Sequence, residues 1–334
     1  MNNRERIVAT LNNKPVDRLP MVEWASWWDK TVDRWRGEGL DPSLTSIDLR
    51  THFGLDKLMQ LWIRPIHGDT PSFVDEKRES CGGKIEPSME SYEKIEPYLF
   101  QILDDWPVNP AALKALKADH DSGELAVWFT LDGFYWLPRT LLGDEEVMYA
   151  FYDIPEVLHR INEANAEWIL KIIDRICEYI TPDFMTFAED MSCNNGPMLS
   201  DAHFNEFMKP YYDKVVPKLK ERGIKVFVDT DGDVTQCAPW FRDAGIEGML
   251  PMEANAGNDI IQLRKDNPGM LFIGGFNKYT MHLGEAAMRK EFERIVPLAK
   301  EGGYIISPDH QTPPEVSLEN YNLYLKLFKE YAQS

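Results

Sequence analysis

Residues 225–253 read KVFVDTDGDVTQCAPWFRDAGIEGMLPME, and this stretch decides the fold. The apolar run Lys225–Val228 predicts a buried strand, Thr235–Ala244 predicts an amphipathic helix, and Gly248–Pro251 predicts the next strand. Gly245 directly follows the helix and is a stop signal, because glycine enters the left-handed conformation at little cost. Strand, helix and strand in this order predict a right-handed crossover and therefore a parallel sheet.

The same alternation continues over most of the chain from about residue 125. Other short apolar runs that predict strands are Ala126–Leu131, Phe184–Phe187, Met270–Gly274 and Tyr304–Ser307. Other amphipathic stretches that predict helices are Ala202–Arg222, Asn258–Asp266, Glu285–Glu301 and Ser317–Tyr331. Residues 1–125 are less regular, with a predicted helix at Asn3–Leu11 and a candidate first strand at Leu19–Glu23.

Acidic or otherwise reactive side chains follow nearly every predicted strand. They are Glu23, Asp132, Glu189, Asp190, Asp229, Asp231, Glu253, Asp309 and His310. In a closed barrel of parallel strands the C-terminal strand ends meet on one rim, where catalytic groups lie. An open doubly wound sheet places ligands only at its switch point, so fewer strand ends would carry such groups. We therefore predict an α/β fold, a single TIM (β/α)8 barrel over residues 1–334 with an irregular N-terminal extension.

The composition excludes several classes of protein. The chain has 334 residues, with 36 Lys and Arg against 55 Asp and Glu, and a formal net charge of -19. Such a chain repels phosphate backbones and anionic lipids, so we expect no nucleic-acid or membrane partner. No apolar run reaches the ~18 residues of a membrane span, and we see no signal-peptide core, so we expect a cytoplasmic protein. The cysteines lack the spacing of a zinc module or a disulfide framework. They are Cys81, Cys177, Cys193 and Cys237.

Three carboxylates lie within five residues, at Asp229, Asp231 and Asp233. They repel one another unless a cation or shared protons offset the charge. Asp233 precedes a helix and is expected to cap it. Asp229 and Asp231 lie where the strand ends, and two functions stay open for them: ligands of a metal that prefers oxygen, or a base with a raised pKa. His310 lies on a loop stiffened by two prolines and is expected to be a metal ligand or general acid.

Two further groups stay open between a structural and a functional interpretation. The strand-end acids Glu189, Asp190 and Glu253 could act in a site or could bond only to nearby backbone amides. Aromatic side chains crowd two strand ends, where they could wall a pocket for a flat apolar ligand, plug the barrel or form a subunit interface. These aromatic residues are Trp24, Trp27, Trp28, Trp128, Phe134, Tyr135 and Trp136.

Motifs spread over nearly the whole chain carry a family resemblance. They are Arg4–Arg6 with Pro15–Pro20, Gly196–Ser200, Phe207–Tyr212, Asp231–Asp233, Pro251–Glu253, Gly274–Lys278 and Asp309–His310 with Pro313–Pro314. In these motifs the chain resembles the uroporphyrinogen decarboxylase-like superfamily, which also contains corrinoid-linked methyltransferases. The resemblance implies a TIM barrel and does not specify one reaction.

The chain departs from both branches of this superfamily. Uroporphyrinogen decarboxylases carry an arginine-rich signature after the first strand that binds substrate carboxylates. Here residues 23–29 read EWASWWD, which cannot neutralise a substrate with many carboxylates. In the methyltransferase branch a zinc ion is held by His-x-Cys at one strand end and by a later Cys. The resemblance places Asp229, Asp231 and His310 at those positions, a harder ligand set that suits an oxygen-bearing substrate such as a methoxy-aromatic compound.

We therefore predict a methyltransferase that moves a methyl group from a small methylated, methoxy-aromatic donor to Co(I) of a separate corrinoid protein. The expected catalytic residues are Asp231, His310, Asp229, Glu189 and Asp190. The expected substrate-binding residues are Trp24, Trp27, Trp28, Trp136, Tyr135 and Glu253. A divalent metal, zinc in the first place, is expected on Asp229, Asp231 and His310. The corrinoid partner would dock over the open rim of a monomer or homodimer.

Two alternatives stay open. The first is decarboxylation of a tetrapyrrole or another carboxylated substrate, which predicts a basic cluster over the mouth of the barrel. The candidates for that cluster are dispersed in sequence: Arg34, Arg36, Arg64 and Arg139. The second is a corrinoid-binding or tetrapyrrole-binding protein without catalysis, in which the acidic rim has lost its function.

Overall fold

The computed structural model describes residues 1–76, 79 and 82–333, so that Cys81 lies outside the described residues. Its strands are β1 (Leu58–Ile63), β2 (Ala126–Asp132), β3 (Phe184–Ala188), β4 (Ser192–Cys193), β5 (Gly196–Pro197), β6 (Lys225–Asp229), β7 (Gly248–Leu250), β8 (Leu271–Phe276) and β9 (Tyr304–Pro308). Seven of them form one sheet in the order β1-β2-β3-β6-β7-β8-β9, and every neighbouring pair is parallel. β4 and β5 form a short antiparallel hairpin after β3.

Helices occupy most of the connections between the strands. The α-helices are Asn3–Leu11, Asp29–Gly37, Ser46–His52, Met89–Ile95, Pro110–Ser122, Trp136–Leu142, Glu146–Asp153, Pro155–Cys177, Asp201–Phe207, Lys209–Glu221, Ala238–Asp243, Ile260–Asp266, Glu285–Lys300 and Leu318–Gln333. Short 3-10 helices are Glu96–Tyr98, Ala254–Ala256 and Lys278–Leu283. None of the described helices combines the length and the apolar character that crossing a membrane requires.

Two apolar clusters lie on the two faces of the sheet. In β2 the side chains of Ala126 and Trp128 belong to the inner cluster, whereas Val127 and Phe129 belong to the outer one, because successive side chains of a strand point to opposite faces. The inner cluster takes residues from all seven strands of the sheet and from the helix Asn3–Leu11. The sheet therefore curls around its own inner face, and the fold is a TIM-barrel-like α/β fold, as predicted.

Residues 19–24 run between the two edge strands, β1 and β9. The Asp56 amide donates to the Met21 carbonyl at 2.7 Å, just before β1, and the Trp24 amide donates to Ser307 Oγ in β9 at 3.2 Å. The segment forms no strand in the described structure, so the predicted strand at Leu19–Glu23 is wrong. Its contacts with the edges combine one backbone hydrogen bond to Asp56 with bonds to the side chains of Asp56 and Ser307, and they form no continuous backbone ladder.

The other predicted strands are confirmed, and the helices differ mainly at their ends. The predicted helix Ala202–Arg222 is interrupted at Met208, which separates Asp201–Phe207 from Lys209–Glu221. Pro210 explains the interruption, because proline has no amide hydrogen and its ring clashes with the carbonyl four residues earlier. The predicted helix Thr235–Ala244 begins only at Ala238.

Asp56 holds the N-terminal segment to the start of β1. Its buried carboxylate accepts a hydrogen bond from Arg6 Nη1 at 2.7 Å. It also accepts two from Arg18, each at 2.8 Å, and one from the Met21 amide at 2.8 Å. The Arg6 side chain is 6% exposed and the Arg18 side chain 22% exposed; Arg18 pairs with Asp56, and Arg6 pairs with both Asp56 and Asp17.

We expect Asp56→Ala to lower the free energy of unfolding by about 3–5 kcal/mol, because the substitution removes the carboxylate partner of Arg18 and leaves the buried Arg6 with Asp17 alone. Urea unfolding followed by circular dichroism measures this loss. The matched control is Asp33→Ala, which removes an exposed pair with Arg36 and is expected to cost at most about 1 kcal/mol. Equal losses in the two variants would contradict the role given to Asp56.

Candidate active site

A cavity of about 340 Å³ lies at the C-terminal ends of the strands. It contains side chains that are far apart in sequence, from β1, β3, β6 and the loops after β2, β3, β6 and β9. Its lining residues are Trp24, Ala25, Ser26, Gln60, Trp62, Trp136, Ala188, Asp190, Asp229, Asp231, His310 and Gln311. The structure thus brings together six of the predicted site residues: Trp24, Trp136, Asp190, Asp229, Asp231 and His310.

Asp231 and His310 form a pair across the cavity. Asp231 Oδ2 lies 3.6 Å from His310 Nε2, and the edge of the imidazole faces Trp24 with the ring centroids 6.3 Å apart. Trp24 is itself fixed, because its indole Nε1 donates to the Pro308 carbonyl at 3.0 Å. The pair joins the loop after β6 to the loop after β9, and it can hold or pass on a proton within the cavity.

Among the described acids that line the cavity, Asp229 at the end of β6 has the fewest contacts that could offset a negative charge. No hydrogen bond or ion pair of its carboxyl group is seen within the described residues. Burial, together with the nearby charges of Asp231 and Asp190, raises the pKa of Asp229 well above its usual range. The protonated form of the carboxyl group is therefore favoured, and this form can donate a proton to a bound ligand.

Asp190 is held by Arg139. Arg139 Nη1 donates to Asp190 Oδ2 at 2.8 Å and to the Asp190 carbonyl at 3.0 Å, so one guanidinium fixes both the side chain and the backbone of this residue. Asp190 has a φ of 42°, in the left-handed region that residues other than glycine adopt at a cost. Burial raises the pKa of Asp190, while the bond to Arg139 acts in the opposite direction.

Glu189, a predicted catalytic residue, does not line the cavity. Its buried carboxylate accepts hydrogen bonds from the amides of Phe134 at 2.8 Å, Tyr135 at 2.7 Å and Trp136 at 3.1 Å, and a further bond from the Tyr212 hydroxyl. Burial raises the pKa of Glu189 to about 7. These contacts hold the loop that carries Trp136, which fits the structural interpretation left open by the sequence; a catalytic role stays a prediction.

Glu253, predicted to bind substrate, lies behind the cavity rather than in its lining. Its Oε2 accepts from the Gly232 amide at 3.0 Å, next to Asp231, and its Oε1 lies 3.5 Å from Lys278 Nζ. Lys278 Nζ is also 3.8 Å from Asp309 Oδ1, next to His310. Lys278 thus links the two loops that carry the Asp231–His310 pair. No role was predicted for Lys278. The sequence signal that could have found it is a lysine that closely follows an apolar strand.

The aromatic side chains predicted to bind substrate lie in different parts of the structure. Trp24 and Trp136 line the cavity, and Trp62 was missed because β1 was not predicted. Trp27 is buried elsewhere, where its indole Nε1 donates to the Tyr321 hydroxyl at 3.1 Å. Tyr135 is buried with its hydroxyl 3.5 Å from Met148 Sδ, and the exposed Trp28 precedes the helix Asp29–Gly37. Neither Trp27, Trp28 nor Tyr135 belongs to the cavity lining.

The predicted metal ligands share the cavity without forming a ligand set. Among the residues that the structure describes, no three His, Cys, Asp or Glu side chains are grouped so that they could hold a metal ion. Asp229, Asp231 and His310 therefore do not fit the predicted three-ligand site in this geometry, and we derive no chemical step through a metal.

The dispersed arginines do not form a basic cluster at the mouth. Each of the four is engaged by a carboxylate of its own: Arg34 with Glu38, Arg36 with Asp33, Arg64 with Asp132, and Arg139 with Asp190. The described part of the rim is thus acidic and aromatic, not basic.

Comparison with protein families identifies the chain. The family model "Uroporphyrinogen decarboxylase (URO-D)" matches residues 137–331, more than half of the sequence. The chain belongs to this family. The matched region of this URO-D family member includes β3 and β6–β9 and therefore Asp190, Asp229, Asp231 and His310, whereas Trp24 and β1 lie before it. A search of curated proteins gave no match.

Solved structures resemble this URO-D family member only distantly. A Bacillus subtilis mannanase, BCman, is 12% identical, with 95% of this chain and 88% of the mannanase covered and a TM-score of 0.48. The 3-keto-D-glucoside 4-epimerase YcjR from E. coli is 13% identical, with 81% and 100% covered and a TM-score of 0.41. Xylanase B from Clostridium stercorarium F9 is 14% identical, with 67% and 84% covered and a TM-score of 0.34.

The pKa of Glu189 makes stability depend on pH. Because burial raises this pKa to about 7 from its ordinary value of 4.5, the folded state binds the proton more tightly than the unfolded state. We expect the stability of the wild type relative to Glu189→Gln to fall as pH rises from about 4.5 to about 7, by about 1 kcal/mol per pH unit, and to level off above that range.

Urea unfolding at a series of pH values measures this difference. The exposed Glu319→Gln serves as the matched control and is expected to follow the wild type at each pH. A difference between the wild type and Glu189→Gln that does not change with pH would show that Glu189 does not hold its proton in this way.

Proposed function

We propose that this URO-D family protein is a methyltransferase that takes the methyl group of a small methoxy-aromatic compound and passes it to the Co(I) corrinoid of a partner protein. The observation that carries the proposal is the meeting of three indoles, Asp229 with its raised pKa and the Asp231–His310 pair in one cavity. Membership of the family supports an enzyme of this superfamily; the choice of methyl transfer is ours.

The size and walls of the cavity favour a single aromatic ring. A volume of about 340 Å³ lies at the small end of the ~300–1,000 Å³ typical of small-molecule sites. Trp24, Trp62 and Trp136 offer aromatic surface, against which a flat ring can pack by offset or edge-to-face contacts. A tetrapyrrole with many carboxylates would instead meet an acidic lining whose nearby arginines are already paired.

The acids supply the proton that this reaction needs. When the methyl group leaves an aromatic ether, the C–O bond breaks and its electron pair stays on the oxygen, which must take up a proton to leave as a neutral phenol. Asp229 holds such a proton, and the Asp231–His310 pair can return one to it from solvent. Arg139 and Glu189 keep Asp190 and the Trp136 loop in place around the ring.

The groups that the protein does not itself provide remain predictions. A partner corrinoid would supply the nucleophile that accepts the methyl group. The predicted zinc ion is tested by metal analysis of the purified protein and of Asp231→Asn. Docking of the partner at the rim of a monomer or homodimer, and a cytoplasmic location, are part of the same proposal.

The deciding experiment is methylation of free cob(I)alamin, followed by its absorbance, with a methoxybenzene, a methylated amine and a methyl thioether as donors. We expect transfer from the methoxybenzene. We expect Asp229→Asn, Asp231→Asn and His310→Gln each to lower kcat by about 10²–10⁴-fold, the usual effect of losing an acid or base. The exposed Asp243→Asn is the matched control and should retain the wild-type rate.

Two results would contradict the proposal. Release of CO₂ from a porphyrinogen, with no methyl transfer from any donor, would indicate the decarboxylase that the family description names. Tight corrinoid or tetrapyrrole binding without turnover, unchanged in Asp231→Asn and His310→Gln, would indicate a protein that only binds the ligand.

A further inference from the structure

We propose that the cavity selects uncharged aromatic ethers and rejects aromatic acids that carry the same methoxy groups. This inference rests on the proposed function and names the class of donor that the site accepts. It follows from where the charges of the cavity and its surroundings are placed.

The lining of the cavity holds carboxyl groups and no basic side chain other than an imidazole. Asp190, Asp229 and Asp231 all face it, and the remaining polar side chains of its described lining, Ser26, Gln60 and Gln311, are neutral. Gln311 Nε2 already donates to the Ser26 carbonyl at 2.8 Å, and Gln60 Nε2 donates to Thr130 Oγ1 at 2.8 Å. One N–H of each of these two side-chain amides is therefore already in use.

The basic side chains closest to these acids are committed to other carboxylates. Arg139 binds Asp190 and Asp144, and it lies 5.3 Å from the centre of the Trp136 ring. Arg64 Nε binds the buried Asp132 at 3.0 Å. Lys278, which is 10% exposed, lies between Glu253 and Asp309 behind the cavity. Recruiting Arg64 or Lys278 to a ligand would take the cation away from the buried Asp132 or Asp309, and recruiting Arg139 would take it away from the partly exposed Asp190; breaking such pairs is unfavourable.

His310 is the remaining group that could carry a positive charge in the cavity. Its Nε2 lies 3.6 Å from Asp231 Oδ2, so a protonated imidazole is already balanced by that carboxylate. A ligand carboxylate placed beside His310 would also lie beside Asp231 and be repelled by it.

A carboxylate on the donor would therefore lose its water on entering the cavity and gain no free cation in return. Burial of an ion without a partner is strongly unfavourable. An uncharged ring of the same size pays no such penalty and keeps the contacts with Trp24, Trp62 and Trp136. The specificity comes from repulsion of the wrong ligand as much as from attraction of the right one.

The experiment compares 1,2-dimethoxybenzene with 3,4-dimethoxybenzoate by isothermal titration calorimetry on the full chain at pH 7.5. The two compounds share the ring and both methoxy groups and differ in one carboxylate. We expect the uncharged ether to bind at least about tenfold more tightly, a difference of about 1.4 kcal/mol. The assay needs neither corrinoid nor turnover.

A charge variant then locates the cause in the cavity. Gln311→Lys adds a cation to the lining and is expected to tighten binding of the benzoate about tenfold while changing binding of the ether by less than about twofold. Gln262→Lys adds the same charge at an exposed position of the helix Ile260–Asp266 and is the matched control, with both affinities unchanged.

The outcomes separate the inference from the proposed function. If the benzoate binds as tightly as the ether or more tightly, the charge selection is wrong while an aromatic methyl donor still stands. If neither compound binds, both the selection and the aromatic donor are wrong. If Gln262→Lys helps the benzoate as much as Gln311→Lys, the discrimination reflects the net charge of the protein and not the lining of the cavity.

Discussion

The curl of the parallel sheet is the constraint on which the rest of this structure depends. Each of the seven strands contributes apolar side chains to the inner cluster, and these are buried only when the sheet turns around them, with the helix Asn3–Leu11 against the same cluster. Once the sheet curls, the C-terminal ends of its parallel strands must meet on one rim. Residues separated by more than a hundred positions, such as Asp190 and His310, then share one cavity without any direct sequence signal of contact.

The strand ends bring several carboxyl groups close together, where their negative charges repel one another. Each carboxyl group is compensated in a different way. Asp190 is neutralised by Arg139 and Asp309 by Lys278 together with backbone amides, whereas the pKa of Asp229 is raised well above its usual range. Burial raises the pKa of Asp309 to about 6, even with Lys278 beside it. Because different acids are compensated by different means, neighbouring carboxyl groups can do different chemistry on one rim.

Periodicity predicted the fold well wherever strands and helices alternate, and it failed where the chain is irregular. The stretch 225–253 and the strands β2, β3 and β6–β9 follow from short apolar runs bounded by helices and glycines. β1 was missed, because most of its residues Leu58–Ile63 are only partly buried or exposed and are not preceded by a regular helix pattern. The candidate strand Leu19–Glu23 was misassigned. Its apolar run has the pattern of a strand, but in the structure tertiary contacts with the two edge strands hold this segment in place.

The order of elements, the acidic strand ends and the family could be predicted from the sequence, because these depend on local pattern and on motifs. Which of those residues face one another depends on tertiary packing. Trp27 and Tyr135 lie in the core, whereas Trp62 lines the cavity. The carboxylate of Glu189 accepts hydrogen bonds from three backbone amides. A strand fixes that alternate side chains point to opposite faces, but the packing of neighbouring elements determines what each side chain meets there.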